Sequence, residues 1–210
     1  MPTVEDIVAR SPVIPVITIE KLADCEPLAA ALVKGGLTVL ELTLRTPVAL
    51  EAIRLLRKQF PAAIVGAGTV MDAAQLQQAK DAGAQFIVSP GTTETLVAAV
   101  AASGLPYLPG AATPGEMMRL CERGFTVQKF FPAEAAGGAD MLRSLAAPLS
   151  KIRFCPTGGL TSDNAMQYLG LPNVVCIGGS WMVSKKLVDG HQWNEIERLS
   201  HLAAALPRSR

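Results

Sequence analysis

The sequence predicts an α/β fold, a single (β/α)8 barrel with residues 1–210 as one domain. Three observations lead there. Short apolar or β-rich runs alternate from end to end with Ala-, Leu- and Glu-containing segments of helical spacing. The runs number eight, the count at which a parallel sheet closes on itself. No early G-x-G-x-x-G turn is present, which disfavours a doubly wound open sheet.

In order, the strand runs are Val13–Ile17, Leu37–Leu42, Ala63–Ala67, Gln85–Val88, Leu105–Leu108, Phe125–Phe130, Ile152–Cys155 and Asn173–Ile177. Helical spacing fills intervening stretches such as Pro47–Phe60, Asp72–Asp81 and Pro114–Arg123. Thr46-Pro47 and Thr113-Pro114 each place a capping hydroxyl before a proline at the first helical position. Gly36, Gly83, Gly104 and Gly124 each stand just before a strand, where a glycine ends the preceding helix. No linker or low-complexity stretch interrupts the alternation.

Composition narrows the function. Half the residues (50%) are hydrophobic and 18% are charged, with a net charge of +1 and no block of one sign. That is not the footprint of a nucleic-acid binder. Mean hydropathy is +0.31, yet no run approaches the ~18 apolar residues of a spanning helix, so no membrane partner is expected. Glu5 and Asp6 stand where a secretory leader would be apolar, so no signal peptide is expected. Cys25, Cys121, Cys155 and Cys176 form no close pair and sit among apolar neighbours, which suits buried, reduced thiols and a cytoplasmic setting. The two histidines, His191 and His201, lie in the last helical stretch. Neither a histidine base nor a metal or other cofactor is expected.

In such a barrel, chemistry belongs to polar residues late in strands and in the loops that follow them. The second run shows the pattern: Leu37, Val39, Glu41, Thr43 and Arg45 share one face, apolar first and then charged. A carboxylate buried in the barrel mouth needs a partner or a purpose. A structural Glu41–Arg45 ion pair closing the barrel top is the competing reading. In the sixth run Phe125, Val127 and Lys129 share a face, and Lys129 lies within a strand where other lysines fall on helices or near their ends. Burial disfavours the ammonium and frees the amine to attack a carbonyl, whereas a nearby Glu41 favours the ammonium. A lysine merely paired with a carboxylate is the alternative. Gly66-Ala67-Gly68-Thr69 makes a tight turn presenting Thr69 to the mouth, although such turns are common. After the seventh and eighth runs come Thr157-Gly158-Gly159 and Gly178-Gly179-Ser180. Either glycine pair alone is an ordinary turn. Together, at the places where barrels hold phosphate, they offer backbone N–H groups to an anion.

These motifs carry a resemblance. Glu41-Leu42-Thr43-Leu44-Arg45-Thr46, Gly66-Ala67-Gly68-Thr69-Val70, Ser89-Pro90-Gly91, Pro109-Gly110, Lys129-Phe130-Phe131-Pro132-Ala133-Glu134, Cys155-Pro156-Thr157-Gly158-Gly159 and Gly178-Gly179-Ser180-Trp181 resemble, in order, the strand ends of the 2-keto-3-deoxy-6-phosphogluconate (KDPG) aldolases. The similarity runs from Ser11 to Trp181. It implies a metal-independent retro-aldol cleavage of KDPG to pyruvate and glyceraldehyde 3-phosphate in a homotrimer, with side activity on 4-hydroxy-2-oxoglutarate. Lys129 resembles the imine-forming lysine and Glu41 the proton-transfer carboxylate. Arg45 and Thr69 look like contacts to the pyruvate carboxylate. Gly158, Gly159, Gly179 and Ser180 look like phosphate ligands, with Thr157 lining the site and Pro90 and Phe131 packing on the keto acid. The alternatives are cleavage of the galactonate epimer, a sugar-phosphate isomerase or epimerase that leaves Lys129 idle, and a non-catalytic barrel with a structural ion network.

Overall fold

The computed structural model describes residues 2–208. The chain opens with α1 (Val4–Val8), fixed by a reciprocal Thr3–Asp6 capping box. Then β1 (Val13–Ile17), α2 (Cys25–Lys34), β2 (Val39–Thr43), α3 (Ala49–Gln59), β3 (Ile64–Gly68) and α4 (Ala73–Asp81) alternate. They continue through β4 (Ile87–Val88), α5 (Glu94–Ser103), β5 (Tyr107–Leu108), β6 (Gly110–Ala111), α6 (Pro114–Glu122), β7 (Val127–Phe130) and α7 (Gly138–Leu145). The last are β8 (Arg153–Pro156), α8 (Ala165–Leu169), β9 (Ile177–Gly179), α9 (Lys185–Asp189) and α10 (Trp193–Ala204).

All strand pairs are parallel. Six strands form a curled sheet in the order β5-β4-β3-β2-β1-β9, and β6-β7-β8 form a second sheet. The fifth expected run pairs only at its end, as β5, and Pro109, which has no N–H to give to a ladder, separates it from β6. Its carbonyl still accepts from the Lys129 amide at 2.8 Å, while Leu108 accepts from Ser89 on the other side. On the far edge, isolated bridges Phe154↔Val174 and Thr157↔Gly178 join the β8 region to the β9 region. The eighth run forms its ladder later than its composition suggests. Its partner β1 begins at Val13, which stands opposite Ile177.

The glycines before strands behave as expected: Gly36, Gly83, Gly104 and Gly124 have φ of 91°, 88°, 72° and 88°. Thr113 caps α6 with Glu116 in a capping box, with proline in the first turn. Thr46 does not cap. Helix α3 begins at Ala49 after an uncapped Val48, and the Thr46 hydroxyl donates instead to the Ile19 carbonyl at 2.6 Å.

Two apolar layers divide the interior. The larger lies between the strands and the helices. The smaller is enclosed by the strands: Ile14, Val39, Ile64, Phe86, Val88, Leu108, Val127, Cys155 and Cys176, together with Ile7 and Val8 from α1. Each large side chain so buried contributes about 1.5–3 kcal/mol. Leu37 and Phe125, expected on the inner face, belong instead with the helix-facing layer. Both precede their strands, so the alternation of faces starts only at Val39 and Val127. Cys25, Cys155 and Cys176 are buried and Cys121 half-buried, all four as free thiols. A hydrogen bond with Cys155 and burial push the Cys176 thiol well up from its ordinary range. Among the described residues no helix is long and apolar enough to cross a membrane.

Candidate active site

Strand β7 aims Lys129 inward because its neighbours are claimed by the other side. Phe130 packs in the helix-facing layer. The Gln128 amide, fully buried, donates to the Met117 carbonyl at 3.0 Å and the Phe125 carbonyl at 2.8 Å. Lys129 then follows Val127 on the enclosed face and is 5% exposed. Its Nζ lies 3.1 Å from Glu41 Oε1 and 5.4 Å from the centroid of the Phe131 ring. Glu41, 2% exposed, sits above Val39 on β2. Strands β2 and β7 belong to different sheets, so the pair meets across the interior. The competing reading, a Glu41–Arg45 pair, is not what forms: the carboxylate takes Lys129, and Arg45 lies beyond the end of β2, exposed. Breaking a buried ion pair by removing one partner costs about 3–5 kcal/mol, because the remaining charge is stranded.

Room for Glu41 comes from its neighbour strand. A Cβ on Gly68 of β3 would lie 2.4 Å from Glu41 Oε1 and 2.7 Å from its Cγ. Gly68→Ala is therefore expected to push the carboxylate off Lys129. It should lower kcat at least about 100-fold, with a stability loss of about 1–3 kcal/mol from overpacking. Steady-state kinetics beside thermal unfolding check this, and unchanged kcat in a folded variant would show that the placement of Glu41 is not set by this contact. Just beyond Gly68, Thr69 holds φ of 62°. For a β-branched residue that conformation costs about 1–3 kcal/mol and is typical of constrained sites.

The loops after β7 and β8 are interlocked. Ala133 N–H donates to the Thr157 carbonyl at 2.8 Å, and Glu134 N–H donates to the Gly158 carbonyl at 3.1 Å. Gly158 and Gly159 adopt φ of 104° and 79°, where other residues are strained. They also lack space for side chains. A Cβ on Gly158 would lie 3.3 Å from Phe131, and one on Gly159 would lie 2.6 Å from Glu134. Thr157, 6% exposed, faces Gly178, where a Cβ would lie 2.2 Å from its Oγ1. Gly179 lies against the Trp181 ring. Backbone N–H groups at such glycine turns suit an anion.

Gly110 packs against the Pro90 backbone and stands opposite Lys129 in the ladder. Beneath it the Ser89 and Tyr107 hydroxyls share a 2.6 Å hydrogen bond. Burial pushes the Tyr107 phenol up to about 12, so it stays protonated across the working range.

At the ends of β9, β1 and β2 opens a cavity of about 430 Å³ whose walls include Thr18, Arg45, Leu160, Thr161, Ser180 and Trp181. Arg45 and Ser180 line it, whereas Lys129 and Glu41 do not. Two residues outside the expected site connect the regions. The Thr43 hydroxyl, two residues from Glu41, lies 2.9 Å from Thr18 Oγ1. The signal for Thr43 was its place on the Glu41 face; Thr18, at the end of the first run, gave none.

The chain matches the family model described as KDPG and KHG aldolase over residues 4–199. It is 47% identical over 199 residues to the KHG/KDPG aldolase of Escherichia coli strain K12, covering 95% of this chain and 93% of that one. It is 48% identical over 201 residues to the 2-dehydro-3-deoxy-phosphogluconate aldolase of Dickeya dadantii, covering 96% and 94%. A solved KDPG aldolase from Legionella pneumophila, with pyruvate captured at low pH as a covalent carbinolamine intermediate, superposes with a TM-score of 0.95 at 45% identity, covering 97% of this chain and 99% of that one. With a buried lysine–carboxylate pair at the strand ends and these matches along its length, the chain belongs to the KDPG and KHG aldolase family.

Proposed function

We propose that this chain is a class I aldolase that cleaves KDPG to pyruvate and glyceraldehyde 3-phosphate through a Schiff base on Lys129, with 4-hydroxy-2-oxoglutarate as a side substrate. The observation that carries the reading is the buried contact of Lys129 Nζ with Glu41 Oε1 at 3.1 Å. A proton passed to Glu41 leaves a neutral amine, which adds to the C2 ketone. Glu41 returns the proton to the departing hydroxyl, water leaves, and the protonated imine becomes an electron sink. The Glu41 carboxylate next takes the C4 hydroxyl proton, directly or through a water, as the C3–C4 bond breaks. The resulting acid protonates the enamine at C3, and hydrolysis frees pyruvate and Lys129. One carboxyl group acting in turn as base and acid needs no histidine.

Arg45 and Thr69 hold the keto-acid carboxylate in this reading, with Pro90 and Phe131 packed on its carbon chain. Gly158, Gly159, Gly179 and Ser180 take the phosphate beside Thr157. The carbinolamine held by the Legionella relative supports the lysine chemistry. The near-continuous ring of parallel pairing supports one closed (β/α)8 barrel domain. The family resemblance supports a homotrimer, and four cysteines with no close pair in sequence suit a reducing cytoplasm.

Incubation with pyruvate, reduction with borohydride and peptide mass mapping test the mechanism. A stable adduct is expected on Lys129. No adduct, or one on another lysine, would overturn it.

A further inference from the structure

Thr43 is 1% exposed, and its hydroxyl has two neighbours: the Ile17 carbonyl at 3.0 Å and Thr18 Oγ1 at 2.9 Å. A hydroxyl has one proton to give, and a carbonyl can only accept. The Thr43 proton therefore goes to Ile17, and Thr18 must donate its own to Thr43. What Thr18 has left is lone pairs. Thr18 is exposed and lines the cavity shared with Arg45 and Ser180, so its hydroxyl meets a ligand there as an acceptor only.

The sheet order is β9, then β1, then β2. The ends of these three strands lead into Ser180, Thr18 and Arg45, so Thr18 lies between the other two. Among the described residues Arg45 makes no ion pair, which leaves its guanidinium for an anionic group of the ligand. Glycine turns and Ser180 offer a second anion subsite on the opposite side. A ligand with an anionic group at each end would carry its middle past Thr18.

We propose that Thr18 determines specificity by accepting a hydrogen bond from the C5 hydroxyl of a 6-phosphorylated 2-keto-3-deoxy acid. This rests on the aldolase reading above, which already gives the C4 hydroxyl to Glu41 and leaves the C5 hydroxyl as the next donor along the chain. 4-Hydroxy-2-oxoglutarate has a carboxylate at C5 and no proton to offer there, so an acceptor at this place favours the phosphorylated sugar acid over it.

Thr18→Val keeps the side-chain shape and removes the acceptor. The expected result is an approximately tenfold fall in the ratio of kcat/KM for KDPG to kcat/KM for 4-hydroxy-2-oxoglutarate, the effect of one lost hydrogen bond. Thr18→Ser should recover the ratio. Equal losses on both substrates would overturn the assignment and make Thr18 a positioning residue for Arg45, and an unchanged ratio would overturn it outright. Borohydride trapping of pyruvate on the wild-type protein separates the two levels. A Lys129 adduct with an unchanged ratio removes only the role of Thr18, whereas a missing adduct removes the aldolase reading and this inference with it.

Discussion

Lys129→Met is expected to abolish the borohydride-trapped pyruvate adduct and to lower kcat/KM by on the order of 10⁴-fold or more, as loss of a covalent nucleophile does. Methionine matches the length of the lysine stem and fills the same space, but leaves the Glu41 carboxylate, 2% exposed, without its cation. Destabilisation of about 3–5 kcal/mol should accompany the kinetic loss. A second variant separates the two effects. Lys129→Met combined with Glu41→Leu removes both charges and should regain most of that stability while remaining inactive. Thermal unfolding with activity assays on the single and double variants checks this. Substantial turnover in either would rule out imine catalysis at Lys129.

Glu41→Gln is expected to separate imine formation from turnover. The amide is nearly isosteric with the carboxylate and can still accept a hydrogen bond from Lys129 Nζ, 3.1 Å from Oε1 in the native pair. It cannot carry a proton between the amine, the C4 hydroxyl and C3. The adduct with pyruvate should form, more slowly, while kcat for cleavage falls by about 10²–10⁴-fold, the range for a lost general acid–base group. Exchange of the pyruvate methyl protons into deuterated water isolates the C3 step and should fall in parallel. Near-wild-type cleavage or exchange would exclude the proton-transfer role.

The inner face of β2 was legible from Val39 through Thr43, because a strand that turns from apolar to charged along one side reports a buried carboxylate in need of a partner. The inward aim of Lys129 was legible for the same reason, with Gln128 and Phe130 left for the helices. The reading failed at the strand edges. Leu37 and Phe125 precede the first paired residues and side with the helix-facing layer. Thr46 found the Ile19 carbonyl, so a cap pattern that is sound locally lost to a tertiary hydrogen bond. The fifth run pairs only from Tyr107, and the short β6 beyond Pro109 was not anticipated, since the missing amide proton interrupts the ladder there.

By itself the sequence determined the α/β alternation, the parallel pairing it entails, the two polar strand faces and the glycine turns after β8 and at the end of β9. These follow from periods of two and 3.6 and from backbone conformations that glycine favours, all of them local properties. Only the tertiary structure decided which charge meets which. Lys129 and Glu41 stand 88 positions apart, and Arg45, four positions from Glu41, is not its partner. It also decided that Gly68 yields space to Glu41, and that the Thr43 hydroxyl meets both the Ile17 carbonyl and the Thr18 hydroxyl. Such choices depend on distances across the buried interior, where an unpaired charge or an unplaced proton is costly, and no local pattern encodes them.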